Sequence, residues 1–272
     1  MTSDVLWLFL RKEFRDLRAS PQVWPGYFIL PLVAIGLPAV FLLLFPTDVS
    51  ALGRDHDLAW LLQVATNEPS LARYPQAQRL GRLVIRDFAA FYLLLPIVLS
   101  SMSAALSIVL EKQQRTLEPI LATPVTDRDL ILAKLVAATV PAVTLTALTG
   151  GVGAMLHAGI SAARYGAPFL PEVPLVVVLV LLAPAMGCAA ALMGMRVSAR
   201  APDVPSAVQM SGLMVVPAGL VLAGLVGRPA ASNAAVGLIS ALLVGLLAWW
   251  LFRGNVRRFQ RELLLTRWGR AG

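Results

Sequence analysis

Long uncharged stretches of apolar residues alternate along the chain with short segments that hold nearly all of the charges. Each apolar stretch has about 20 residues, the length a helix needs to cross a hydrocarbon core about 30 Å thick. The apolar runs are continuous and do not alternate with polar residues, so they predict helices and not the strands of a barrel. The six predicted spans are about 23–45, 88–110, 135–156, 173–195, 208–226 and 233–252, and none contains Asp, Glu, Lys, Arg or His.

Two amphipathic patterns lie outside these spans. In residues 5–20 the apolar positions recur every three or four residues, which predicts a helix lying in the membrane interface with its apolar face toward lipid. The same spacing in residues 76–88 predicts a short helix leading into the second span, within a loop over 46–87 whose role the sequence leaves open. The apolar positions of the first helix are Leu6, Leu10, Phe14 and Leu17.

Composition and charge give the class and the orientation. Of the 272 residues, 58% are hydrophobic and 14% are charged, against roughly 25% charged in soluble domains. The segments expected on the side of the termini hold 16 Lys and Arg, and those on the other side hold 7. The positive-inside rule therefore predicts cytoplasmic termini, with 253–272 as a cytoplasmic tail. The fold class is an all-α polytopic membrane protein with one domain over 1–272. The basic residues flank spans, so nucleic acid is not an expected partner.

No catalytic pattern is present in the sequence. The three lysines, Lys12, Lys112 and Lys134, do not end a phosphate-binding GxxxxGK[ST] loop, so we expect no ATP hydrolysis by this chain. His56 and His157 lack the neighbouring ligands that a metal site needs, so we expect neither metal nor cofactor. Ion-coupled carriers place charged groups at membrane depth, and the predicted spans have none. Any energy for transport is therefore expected to come from outside the membrane.

Hydroxyl groups supply most of the polarity inside the spans. Ser100, Ser103 and Ser107 share one face of the second span. Small polar residues at helical spacing let helices pack closely, and the same residues can line a substrate pathway or a dimer interface. Both interpretations stay open. Five of the six spans also contain a proline, which is common in membrane helices and also bends them.

The segment from Glu111 to Lys134 has the most distinctive pattern. Glu118 and Pro119 suit the first turn of a short helix, where a negative charge is favoured and a missing N–H costs nothing. Pro124 ends that helix, and Thr126 with Asp129 forms a capping box for the next one. A short apolar helix held between two spans is a shape that docks into a groove of a partner.

This segment resembles the E-K-E-x-G-T-L-E-x-L-L-x-x-P-(V/I)-(S/T)-x-x-(E/D)-(I/L)-(I/L)-x-x-K pattern of ABC-2 type ABC transporter permeases. The six spans and the preceding interfacial helix also agree with that family, so the resemblance covers nearly the whole chain. Arg115 departs from the pattern, which has Gly there, and Ala133 stands where a Gly is frequent. The matching residues are Glu111, Thr116, Leu117, Glu118, Leu121, Pro124, Val125, Thr126, Asp129 and Lys134.

The resemblance implies a permease subunit of the bacterial cytoplasmic membrane that pairs with a second permease copy, homo- or heterodimeric, and with cytoplasmic ATPase subunits holding ATP and magnesium. It makes residues 116–123 the coupling helix. Export of an amphipathic or hydrophobic substrate is the leading function, and the cargo is not identified by sequence. The alternative is a mechanotransmitting subunit that acts on a periplasmic or membrane partner, for example in metalloenzyme maturation. The ATPase-coupling residues implied are Glu111, Arg115, Thr116, Leu117, Glu118, Pro119, Ile120, Leu121, Pro124 and Lys134.

Overall fold

A computed structural model describes residues 11–12, 14–16, 19–21, 23–44, 63–113, 126–198 and 201–258. Within these ranges the chain forms helices and no strand, which confirms the all-α prediction. The helices are α1 Trp24–Leu44, α2 Gln76–Asp87, α3 Ala89–Gln113, α4 Asp127–Tyr165, α5 Val173–Ser198, α6 Val204–Ser232 and α7 Ala234–Arg258. A short 3-10 turn, Pro69–Leu71, precedes α2.

Six helices, α1 and α3 to α7, are long and apolar enough to cross a membrane, as the apolar pattern predicts. Five of them, α3 to α7, run past the predicted spans into the polar flanks, whereas α1 lies within its predicted span. The helix α4, predicted as a span over 135–156, begins at Asp127 and ends at Tyr165, and it therefore includes Lys134 and His157. Helix α3 likewise includes Glu111. These ionisable groups are buried, although the predicted spans exclude them.

The spanning helices alternate in direction, so the bundle has two ends. Glu111, Lys134 and Arg196 lie at one of them, the Glu111 end. Arg86 and Glu172 lie at the other, the Glu172 end, where the chain of residues 63–87 and the loop before α5 come together.

Helix α3 lies at the centre and packs against α4, α5 and α6. Its Leu93 and Leu99 have no exposed surface. On α5, Gly194 faces the α3 backbone so closely that a Cβ there would collide with the carbonyl oxygen of Ser101. A small residue thus sets the α3–α5 distance, as is usual between membrane helices. Helices α1, α6 and α7 instead leave much of their apolar surface exposed, which suits contact with lipid.

Helix α5 contains one π-helical turn, Val178–Leu182, just before Pro184. Pro184 has no N–H, so the carbonyl of Val180 loses its usual donor four residues on. The helix widens at this point, and the N–H of Ala183 bonds instead to the carbonyl of Val178, five residues back. The proline-containing α1, α3, α4 and α6 remain continuous helices.

The local signals at the helix ends are confirmed where the structure describes them. The Thr126 hydroxyl accepts from the N–H of Asp129 at 3.3 Å and donates to its carboxylate at 2.8 Å, so Thr126 is the N-cap of α4 and Asp129 pairs with it through the hydroxyl. Helix α2 covers the predicted 76–88 segment, with Leu80 and Leu83 buried. Of the predicted interfacial helix over 5–20, residues 11–12 and 14–16 are helical, and most of the others lie outside the described residues.

Candidate functional site

A buried carboxylate marks the end of α3. The Glu111 side chain is only 4% exposed, and its Oε2 lies 2.7 Å from Nζ of Lys134 on α4. Its other oxygen, Oε1, accepts a hydrogen bond from Nζ of Lys12 at 2.6 Å. One carboxylate therefore joins the N-terminal segment, α3 and α4.

Lys134 is buried more completely than Glu111, with 2% of its side chain exposed. It sits on the second turn of α4, and its Nζ also donates to the hydroxyl of Ser107 at 2.7 Å. A buried ammonium is tolerated only where an opposite charge and further hydrogen bonds replace its lost hydration. Glu111 and Ser107 together supply both.

Lys12 connects this pair to the surface. Its side chain is 37% exposed, and its Nζ also lies 3.4 Å from the carboxylate of Asp16, one helical turn on. Lys12, Asp16, Glu111 and Lys134 form the Glu111 cluster, whose two formal positive and two formal negative charges cancel. The contact between Lys12 and Glu111 thus holds the N-terminal segment to the bundle by charge.

Two further contacts brace the same end of the bundle. Nζ of Lys112 donates to the carbonyl of Ala201 at 3.1 Å, which links α3 to the turn before α6. Nε of Arg196 donates to Oδ1 of Asn255 at 2.6 Å, and its Nη2 donates to the carbonyl of Leu251 at 2.8 Å. The second contact ties the end of α5 to the end of α7.

Asp203 begins α6 at this end. Its Oδ1 accepts from the N–H of Ser206 at 2.8 Å, the geometry of an N-cap. Hydrogen bonds from the side chain and the backbone of Ser206 lower the pKa of the Asp203 carboxyl, because they favour its charged form.

The structure brings together two residues of the predicted coupling set. Glu111 and Lys134 form an ion pair, and the segment 114–125 connects their helices. The remaining residues of that set lie outside the described residues, so their coupling role stays a prediction. They are Arg115, Thr116, Leu117, Glu118, Pro119, Ile120, Leu121 and Pro124.

The three serines of α3 face the interior of the subunit. Ser100 and Ser103 have no exposed surface and Ser107 has 8%. Ser103 Oγ lies 3.5 Å from the hydroxyl of Tyr27 on α1, and Ser107 belongs to the ion-pair contact described above. This placement agrees with the packing interpretation. A role in a pathway or a dimer interface stays a prediction.

Sequence reasoning missed the partner of Lys12 and the Arg196–Asn255 contact. The spacing of Lys12 and Asp16 indicates only a local pair on one helix, and nothing along the chain connects either residue with Glu111. Arg196 offered a weak signal, because it directly follows an apolar run and must satisfy its guanidinium near the membrane boundary.

The chain was compared with known proteins. A family model described as "ABC-2 family transporter protein" matches residues 7–242, which include the Glu111 cluster and most of the six spanning helices. Comparison with curated proteins and with solved structures gave no significant match. The match covers far more than half of the chain and agrees with the six apolar helices. The chain is therefore an integral membrane protein that belongs to the ABC-2 transporter family.

Proposed function

We propose that this chain is the permease subunit of an ATP-driven exporter in the bacterial cytoplasmic membrane, with the Glu111 end facing the cytoplasm. A separate ATPase would hold ATP and magnesium, and a second permease copy would complete the complex. The cargo would be amphipathic or hydrophobic. The observation that carries the proposal is the buried Glu111–Lys134 ion pair, which brackets the segment that resembles a coupling helix in a chain of the ABC-2 family.

The ion pair gives a physical route from that segment to the bundle. A force applied to residues 114–125 acts on the ends of α3 and α4, which Glu111 and Lys134 hold together at 2.7 Å. Helix α3 in turn packs closely against α5 through Gly194. Packed helices of this kind move as units and do not deform continuously. We therefore expect α3, α4 and the N-terminal segment to shift together when the ATPase closes.

The polarity of the spans supports an external energy source. The charged groups of the Glu111 cluster lie at the end of the bundle and neutralise one another. Such a paired cluster serves structure and transmission, whereas an ion-coupled carrier needs a charged group that an ion can reach at membrane depth.

Leu117→Asp tests the coupling assignment. A charge in the apolar face of the docking helix should release the ATPase, because an unpaired charge is costly to bury in an interface. The permease is purified in mild detergent from its native membrane, and the bound subunit is identified by its sequence and by ATP hydrolysis. Val173→Asp is the matched control, since Val173 is 71% exposed at the opposite end. We expect the ATPase to co-purify with the Val173→Asp control and to be lost from Leu117→Asp. Equal retention in both variants would refute the assignment.

A further inference from the structure

A cavity of about 400 Å³ opens between α4 and α5 toward the Glu172 end. Its inner wall includes the buried Tyr92 and Phe169. Its rim includes Gly151 of α4 and Val180 of α5, which is 61% exposed and belongs to the π-helical turn. The exposed rim lies on the lateral face of two spanning helices, so the cavity opens sideways, toward the hydrocarbon of a membrane.

The lining favours hydrocarbon over water. A buried water needs two to four polar partners, and most lining residues are apolar. The polar side chains of the lining are His157 and Tyr92, and Nε2 of His157 is already hydrogen-bonded to the carbonyl of Ile35 at 3.0 Å. Val143 and His157, which both line the cavity, are separated by about 21 Å along α4 at 1.5 Å per residue. The cavity is therefore elongated enough for an extended alkyl chain.

The end of the cavity meets a smaller pocket that has charged side chains in its wall. This pocket of about 40 Å³ is lined by Arg82, Arg86 and Glu172. It shares part of its wall with the large cavity, including Phe169 and Leu175. An apolar cleft that ends at a charged pocket has the polarity of an amphiphile, with its chain inside the membrane and its head at the boundary.

Two of the arginines near this mouth are neutralised. Arg86 lies 3.2 Å from the carboxylate of Glu68 and donates to Ser70 at 2.7 Å. Arg73 lies 2.8 Å from Glu172, and this hydrogen-bonded pairing raises the pKa of Arg73 above its usual value. Each therefore has a carboxylate at ion-pair distance, although the buried Nε and Nη2 of Arg86 have no hydrogen-bond acceptor among the described residues.

Arg82 is different. Its guanidinium carbon lies 3.7 Å from the ring centre of Tyr74 and 4.5 Å from that of Phe169, so aromatic faces hold it in place. Among the described residues its buried Nε has no hydrogen-bond acceptor. A planar guanidinium fixed in this way can donate to the oxygens of a carboxylate or phosphate.

We propose that this cleft binds an anionic amphiphile, with its alkyl chain in the cavity and its acidic head group on Arg82. The sideways opening admits the ligand from the bilayer without passage through water. The site goes beyond the proposed export function, because it needs only the permease chain. The ligand chemistry is shared by acidic membrane lipids and by single-chain acids carried as cargo.

Photolabelling tests occupancy of the cavity. The purified full chain in detergent is exposed to a fatty acid bearing a photoreactive group in its alkyl chain. Gly151→Trp fills the cavity, and Gly159→Trp on the same helix is the control, since both glycines have no atom within 4 Å of an added Cβ and Gly159 is not part of the lining. We expect about tenfold less labelling with Gly151→Trp, a loss of about 1.4 kcal/mol in binding. Equal labelling of the two variants overturns the proposal.

Arg82→Gln tests the head-group contact. The acid probe is compared with the fatty alcohol of the same length, which carries no charge. Losing one charge-assisted contact should weaken binding of the acid by about tenfold and leave the alcohol nearly unchanged. A parallel fall for both probes, or for neither, refutes the role of Arg82. Melting temperatures of all variants show that each is folded.

Native mass spectrometry of the chain without added probe distinguishes the two sources. A bound acidic phospholipid that Gly151→Trp removes identifies a membrane lipid. An empty protein that binds the acid probe only when it is added identifies a cargo-like ligand. An empty protein that binds neither the acid probe nor phospholipid vesicles overturns the proposal.

Discussion

The two ends of the bundle differ in how deeply their central ion pairs are buried. At the Glu111 end, ionic groups are withdrawn from solvent and paired across helices, so that Glu111 and Lys134 have 4% and 2% of their side chains exposed. At the Glu172 end Arg86 and Glu68 also pair, with 10% and 23% exposure, but Arg73 and Glu172 pair with 62% and 36% exposure, and Arg82 stacks on rings beside a pocket.

We therefore expect the Glu111 end to transmit movement and the Glu172 end to accommodate a ligand. A buried pair is rigid, because neither partner can leave the other without a large electrostatic cost. An exposed pair is weak and can rearrange around a ligand. The packing follows the same division, since α3 and α5 touch through backbone at Gly194 whereas α4 and α5 separate around the cavity near Gly151. Movement would then enter at the rigid Glu111 end and reach the Glu172 end, where the cavity leaves room for the helices to rearrange.

The largest expected effect comes from removing the negative charge of Glu111, at the centre of the Glu111 cluster. Glu111→Gln keeps the shape but leaves the buried ammonium of Lys134 without its carboxylate. We expect a loss of about 3–5 kcal/mol in the free energy of unfolding, the usual cost of a broken buried pair. A lower melting temperature in detergent measures this loss.

A double variant separates the ion pair from the rest of the site. In Glu111→Gln with Lys134→Met no buried charge is left unpaired, so much of the stability should return. Asp16→Asn is the mild control, because Asp16 is 41% exposed and 3.4 Å from Lys12. If Glu111→Gln were no less stable than Asp16→Asn, burial of the Glu111–Lys134 pair would not give the stability assigned to it.

A smaller effect is expected from adding one methyl group to each packing region. Gly194→Ala pushes a Cβ into the Ser101 carbonyl, so α3 and α5 must separate, at a cost of about 1–3 kcal/mol. Gly151→Ala meets no atom within 4 Å and should be neutral, or stabilising by up to about 1 kcal/mol through helix propensity. Thermal unfolding of both variants gives the contrast. Equal costs would show that α4 is packed as tightly as α5.

The smallest effect concerns Asp203, the partly exposed N-cap of α6 at the Glu111 end. The pKa of Asp203 is lowered in the folded chain by its hydrogen bonds from Ser206. Its carboxylate therefore stabilises the fold above the unfolded pKa of about 3.9, and this contribution is lost as the pH falls through the lower folded value. Asp203→Ala should reduce the melting temperature slightly at neutral pH and progressively less below about pH 4. A difference that stays constant over this range would show that the charge of Asp203 adds nothing to the cap.

Much of the fold could be predicted because its signals are local. The six apolar stretches predict six helices, since hydrocarbon requires every backbone group to be bonded within its own segment. Thr126 and Asp129, which are three residues apart, predict the start of α4, and the 76–88 pattern predicts α2. The candidate site was predicted only in part, because the resemblance marks Glu111 and Lys134 but does not pair them.

Local signals were thus enough to predict the class and the number of spanning helices, since both depend on neighbours along the chain. The tertiary structure was needed to show that Lys12 reaches Glu111, that the serines of α3 face inward, and that Arg82 lines a small pocket that shares wall residues with the cavity between α4 and α5. These depend on which side chains meet across helices. Helix-to-helix contacts are set by shape and burial in three dimensions, and hydropathy along one chain does not record them.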